Sequence, residues 1–361
     1  MVASHNHNPT PSAAAGVTFA HASAWRPLRK AGLIALVLLP LAAALGTLIG
    51  SSGADPELLR QAFAAPHSTA ATIIFHIRLP SVLLSFAAGA LLATSGAAMQ
   101  GLVRNPLADP YILGISGGAA LGAATALLLA PPHWAGWLTP LLACTGALGT
   151  TLLVSTLAAA ARERAQSPVG HHLLLAGVMV NTIAGALLLL GASLTDPIRA
   201  RAVQLWMMGT IDATRLTTTS WLALIAMGLP ALLWLLARSH HFNLLALGDS
   251  EAQSLGLNTP RFQRQTLLTI TLCTGFTVAA TGLIGFVGLV VPHLIRTAIH
   301  ADNRVVLLLS PLYGAVFLSL ADTTARGLYT VAGSSIPVGV VTALLGAPLF
   351  LWLLVKRGAG T

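Results

Sequence analysis

The chain has 361 residues, of which 55% are hydrophobic and 8% charged, with a formal net charge of +9. Soluble domains carry about 25% charged residues, so a soluble core of this size would have too little polar surface to cover so much apolar material. Nucleic-acid binding is argued against by the pattern of charge. The 19 Lys and Arg residues are scattered singly or in twos between apolar runs, not gathered on one solvated face. Cys144 and Cys273 sit inside apolar runs without metal-ligand spacing and read as small core residues.

In chain order, residues 1–30 are polar and rich in Ala, Ser and His, and read as a disordered tail. Residues 31–357 read as a single helical membrane domain. A membrane-crossing helix needs about 20 apolar residues, and charged residues mark off stretches of that length. Ala31–Ala54, Leu79–Val103, Ala165–Thr195, Leu216–Ala237, Val305–Ala321 and Gly327–Val355 each hold one span. Pro110–Ala161 holds two, divided at Pro131-Pro132-His133-Trp134. Gln265–Ile295 predicts a full helix to about Leu283, a glycine-rich reversal and a short return helix. The fold expected is an all-α membrane protein of about ten transmembrane helices. With both termini in the cytoplasm, most basic residues, such as Arg104, Arg162, Arg238 and Arg261, fall on the cytoplasmic side.

Several chemistries are missing from the sequence. The acidic residues lie in loops apart from Asp322, which has Arg326 at i+4 as a local partner, so no mid-membrane proton relay is visible. Neither Lys30 nor Lys356 follows a glycine in a phosphate loop. Uphill transport would therefore draw its energy from another subunit.

Four segments carry a resemblance. They are Arg78-Leu79-Pro80, the run from Arg104 to Pro110 (RNPLADP), the run from Gly282 to His293 (GLIGFVGLVVPH), and the run from Pro337 to Pro348 (PVGVVTALLGAP). Together, in this order and over about residues 78–357, they resemble the permeases that import iron–siderophore complexes, haem and cobalamin through ABC transporters.

The resemblance implies a cobalamin-importer-permease-like bundle in the bacterial inner membrane. Two cytoplasmic ATP-binding subunits, a periplasmic substrate-binding protein and a second permease copy, identical or a close paralogue, would accompany it. The lipid bilayer is its surroundings, and nucleic acid is not a partner. It implies no cofactor or metal on this chain, with ATP and Mg used by the partner subunits. The cargo it implies is a metal chelate, ferric siderophore first, then haem or cobalamin. A channel or secondary carrier working alone is the alternative.

It also implies roles for particular residues. Asn105, Leu107 and His171 match a cytoplasmic gate, with His171-His172 departing from the small hydroxyl residues usual there. The loop at about residues 243–258 reads as two short helices bent at Gly248. Asp249 or Ser250 is expected to cap the second helix, and Ala252 and Leu255 to share an apolar face. In the resemblance this is the ATPase coupling element, with Leu247, Gly248, Asp249, Glu251, Ala252 and Leu255 in it. Met179, Asn181 and Thr182 are expected to line the pathway. His293 reads as a packing histidine. Arg78 and Arg326 match docking sockets for acidic residues of the binding protein.

Overall fold

The computed structural model describes residues 13–50, 53–165 and 169–358. Helix α1 (Ala13–Leu48) is followed by a small antiparallel pairing of Ile49–Gly50 with Gly53–Ala54. The backbone is helical from Ala13, so helix enters the segment expected from sequence to be a disordered tail; residues 1–12 lie outside the described residues. After the short helix Pro56–Ala64 comes α2 (Thr69–Val103), then α3 (Ile115–Leu129), α4 (Pro132–Ala165) and α5 (Val169–Ser193). Pro197–Met207 is a short helix. It leads to α6 (Thr218–Ala237) and to two small helices, α7 (Ser239–Ala246) and α8 (Asp249–Ser254). Helix α9 (Thr259–Thr281), α10 (Val287–Ala298), α11 (Asn303–Gly327) and α12 (Val338–Gly358) complete the bundle.

Among the described residues, six helices are long and apolar enough to cross a membrane: α1, α2, α4, α5, α6 and α11. Helices α3, α10 and α12 contain shorter apolar stretches. Helix α9 is long but richer in threonine, because it lies inside the bundle. Thr266, Thr271, Thr274, Thr277 and Thr281 are all buried. The Thr271, Thr277 and Thr281 hydroxyls donate to the carbonyls four residues earlier at 2.7–2.9 Å, and Thr271 also meets the Thr151 hydroxyl of α4 at 3.2 Å.

Helix α2 is the central post, buried along most of its length and packed against α9, α10 and α11. Lipid tails are as apolar as leucine, so helices in a bilayer associate through close packing and small residues. At two crossings of α2 the backbones meet directly. A Cβ on Gly89 would overlap the Gly314 carbonyl of α11, and one on Gly96 would overlap the Gly288 carbonyl of α10. The cysteines Cys144 and Cys273 are buried and free.

Helix α2 runs unbroken through Arg78, beyond the expected start at Leu79, and α11 runs through Asp322 and Arg326, beyond the expected end at Ala321. In both places the charge is satisfied inside the protein and does not end the helix. At the 1.5 Å rise per residue of a helix, Arg78 and Arg104 mark two ends of the bundle roughly 40 Å apart.

Candidate functional site

At the Arg104 end, α2 stops at a residue in the left-handed region: Arg104 has φ 56°. The chain then turns through Asn105, whose side-chain oxygen accepts the Leu107 N–H at 2.9 Å. Leu107 is exposed. Asp109 caps the next turn, accepting the Tyr111 N–H at 2.8 Å, and Pro110 follows at the first helical position, where no N–H is needed. The Arg104 guanidinium forms an ion pair with Asp249, the first residue of α8. This links the 104–110 corner directly to the loop between α6 and α9.

That loop holds two short helices, as expected, but its details differ. The N-cap of α8 is Gly248, with no side-chain cap; Asp249 is already helical and is spent on Arg104. Gly248 has φ 130° and ψ 157°, a conformation essentially confined to glycine. Glu251 folds back over it, occupying the place a Cβ would take, and its carboxyl bonds the Ser250 hydroxyl at 2.9 Å.

Ala252 and Leu255 do not share a face. Ala252 is fully buried whereas Leu255 is 59% exposed, because α8 ends at Ser254 and the three-residue register lapses at its cap. Leu247, 61% exposed, stands out beside the bend. Gly256, at φ 88°, ends the element.

The loop is braced from α11. Asn243 donates to Asp302 at 2.7 Å and accepts the Asn303 N–H at 3.0 Å. Burial alone would raise the Asp302 carboxyl. The bond from Asn243, the Arg304 N–H and the Arg304 charge outweigh it and hold Asp302 below its ordinary value.

Above the corner lies a cavity of about 490 Å³, lined among others by Asp109, Tyr111, Asn181, Thr182 and Phe286. Asn181 organises it: its amide donates to the Tyr111 carbonyl at 2.9 Å and its oxygen accepts the Gly117 N–H at 3.0 Å. The Tyr111 hydroxyl donates to the Ile284 carbonyl at 3.1 Å and accepts the Ile284 N–H at 3.3 Å. The glycine-rich reversal between α9 and α10 is thereby tied to the start of α3. Phe286, at φ 69°, makes the reversal's last turn and packs against Gly346 of α12. Of the expected pathway residues, Asn181 and Thr182 line the cavity; Met179 is exposed. His171 is on α5, but its side chain lies outside the described residues. His293 is buried against the Phe350 ring at 5.7 Å.

Arg78 and Arg326 are not free sockets. Arg78 is 7% exposed and donates to the carbonyls of Thr47 and Leu48, both at 2.9 Å. Arg326 pairs with Asp322 at 2.8 Å and donates to the Gly46 carbonyl at 3.0 Å. A helix leaves its last carbonyls unpaired, and these two arginines take them up at the end of α1. Sequence reading missed this because α1 is remote in sequence from both arginines. It also missed Tyr111, Asn243 and Asp302, although Tyr111 directly follows the Asp109-Pro110 motif.

Asp109 gives a testable consequence. Burial pushes its carboxyl up to about 6, against the opposing pull of the Tyr111 N–H. A group raised in the folded state supports stability fully below its unfolded value near 4 and loses that contribution as pH rises through about 6. Asp109→Asn keeps the cap and removes the charge. The variant is expected to be more stable than wild type at pH 7.5, by on the order of 1–3 kcal/mol, and equal to it at pH 4. Thermal unfolding in detergent at both pH values checks this; a variant less stable at pH 7.5 refutes it.

A bundle of long apolar helices, with a largely apolar cavity beside the 104–110 corner and a surface loop ion-paired to that corner, defines a multi-pass membrane protein of the permease class. The chain belongs to the FecCD transport family, whose model matches residues 35–356. Among its relatives is the vitamin B12 import system permease protein BtuC of Salmonella paratyphi A, 41% identical over 283 residues, covering 78% of this chain and 83% of that protein. Another is the hemin transport system permease protein HmuU of Yersinia pestis, 41% identical over 292 residues, covering 79% and 84%. A solved structure, described as an inward-facing metal-chelate type ABC transporter, superposes with a TM-score of 0.76 at 28% identity, covering 91% of this chain and 99% of that one.

Proposed function

We propose that the chain is the membrane permease subunit of an ATP-binding-cassette importer that carries a metal chelate across the bacterial inner membrane. Ferric siderophore is the first candidate cargo, with haem or cobalamin next. In this reading the chain crosses the membrane ten times, with α3, α9, α10 and α12 joining the six long apolar helices, and both termini are cytoplasmic. It works with two ATP-binding subunits, which bind ATP and Mg, with a periplasmic binding protein, and with a second permease copy. This chain itself holds no cofactor.

The observation that carries the reading is the α7–α8 loop. Leu247 and Leu255 are exposed on it while Ala252 is buried beneath, and Asp249 ties it to the 104–110 corner. Two apolar side chains on a surface loop suit a partner's groove, and the ion pair offers a mechanical link from that partner to the gate residues Asn105, Leu107 and His171. Cargo would pass along α5 and α12. Asn181 and Thr182 would face it, together with Met179 on the adjoining exposed surface. The lack of charge there suits a bulky chelate that must move on.

Solubilising the chain from its native membrane with its neighbouring subunits tests the assignment. An ATP-binding subunit is expected to co-purify, and Leu247→Asp/Leu255→Asp is expected to release it. A wild-type chain that transports alone in proteoliposomes would instead be a channel or secondary carrier.

A further inference from the structure

Between the end of α6 and the start of α9 lies a second cavity of about 320 Å³, bordered on one side by the last residues of the loop, Gly256, Leu257 and Asn258. Its polar lining is Arg238, His241, Asn258, Arg261 and Gln265, and Phe262 forms an apolar wall. No carboxylate is among the lining residues. Neither Arg238 nor Arg261 is in an ion pair among the described residues. The cavity also faces the first turn of the 23-residue α9, where the helix dipole is positive. Two guanidinium groups without an ion-pair partner, the His241 ring and a helix N-terminus border a space whose lining holds no carboxylate.

The surroundings indicate which anion. Arg238 ends the apolar helix α6, its guanidinium 5.7 Å from the centre of the Trp234 ring, and Trp234 stacks on Phe262 at 6.1 Å. An aromatic ring beside an arginine at the end of an apolar helix is the usual furniture of the membrane–water boundary. The same helix presents Ile225, Leu229 and Leu233, each about half exposed, on its outer surface. The cavity thus sits at the end of a helix long and apolar enough to cross a membrane.

We propose that this cavity binds the phosphodiester headgroup of an anionic phospholipid. Arg238 and Arg261 hold the phosphate oxygens through charge-assisted bonds, and the Gln265 amide donates a further one. Burial, with the neighbouring His240 and Arg238 charges, holds the His241 imidazole below its ordinary value against a hydrogen bond to the Arg238 backbone; a bound phosphate would relieve that repulsion. The leaflet, but not the binding, rests on the orientation proposed above: with cytoplasmic termini the site lies in the cytoplasmic leaflet, where basic pockets between helices take anionic lipid.

The test uses the full chain, delipidated in neutral detergent and titrated with phosphatidylglycerol, phosphatidylcholine and inorganic phosphate, with binding read by native mass spectrometry. Wild type is expected to bind phosphatidylglycerol in preference to phosphatidylcholine. Arg238→Gln/Arg261→Gln is expected to bind it about tenfold or more weakly. Arg238→Lys/Arg261→Lys, which keeps the charge, should retain most of the binding and controls for misfolding, as does Arg60→Gln at a distant ion pair. Inorganic phosphate should not compete at matched concentration. If it competes equally, the cavity is a free-anion site and the lipid assignment fails. Equal phosphatidylglycerol binding by wild type and the Gln variant also refutes it. So does a Gln variant that keeps its lipid but loses a co-purifying ATP-binding subunit, which would make this cavity a protein contact. Transport activity enters none of these readouts, so the proposed function can fail without affecting them.

Discussion

Gly248→Val is expected to abolish coupled transport while leaving the membrane-embedded helices folded. At φ 130° and ψ 157° the residue occupies backbone space that a β-branched side chain cannot enter without strain. A Cβ there would also overlap the Glu251 carboxylate. The strain is of order 1–3 kcal/mol, and the cheapest relief is to open the bend. Opening it moves α8 away from α7 and separates Asp249 from Arg104, breaking the link from loop to corner. The rest of the molecule has little reason to respond, since only Ala252 and Leu257 anchor this stretch in the core. In proteoliposomes with the partner subunits, transport should fall at least about tenfold while ATP hydrolysis continues, a loss worth about 1.4 kcal/mol or more in the coupled step. Gly256→Asn is the control. Gly256 has φ 88° with open space around its Cβ position, and asparagine tolerates left-handed backbone, so near-normal transport is expected. Normal transport by Gly248→Val would reduce the loop to a connector.

The architecture was legible in sequence wherever charge and proline punctuate it honestly. The division before α4 falls at Pro131-Pro132, where the helix begins at Pro132. The reversal predicted near Leu283 occupies residues 282–286. The two helices about Gly248 are both present. Charge misled where the fold neutralises it. Arg78 and the Asp322–Arg326 pair were read as span boundaries, yet helices run through them, because carbonyls or an ion pair satisfy each group internally.

The candidate site was legible as motifs but not as geometry. Nothing in spacing alone tells that Asn181 reaches Tyr111, 70 residues away. Nor does it tell that Arg104 pairs with Asp249, 145 residues away. Both contacts join elements far apart in sequence that only tertiary packing brings together. Helical periodicity also overreached at Leu255, since it assumes that the helix continues where α8 in fact stops.

The largest loss of stability is expected at the other end of the bundle, from Arg326→Gln. Asp322 is 3% exposed and its partner is Arg326. Removing one member of a buried pair leaves an uncompensated charge and costs about 3–5 kcal/mol. It also frees the Gly46 carbonyl at the end of α1. Asp322→Asn should rescue much of this loss when combined with Arg326→Gln, because the orphaned charge is then gone. Arg78→Gln strips the Thr47 and Leu48 carbonyls of their donor, for which about 1.5–3 kcal/mol is the range of a charged hydrogen bond. Both variants should release the end of α1, seen as faster hydrogen exchange in residues 46–50, while amides in the middle of α2 stay protected. The docking role that sequence resemblance attached to these arginines predicts a different pattern. Sockets on a rim act chiefly on association rate and its salt dependence. Arg78→Glu and Arg326→Glu would then slow capture of the loaded binding protein, with unchanged thermal stability and unchanged exchange at residues 46–50. That result would return the arginines to the docking surface. Destabilisation together with Asp322→Asn rescue would assign them to holding α1 against the bundle.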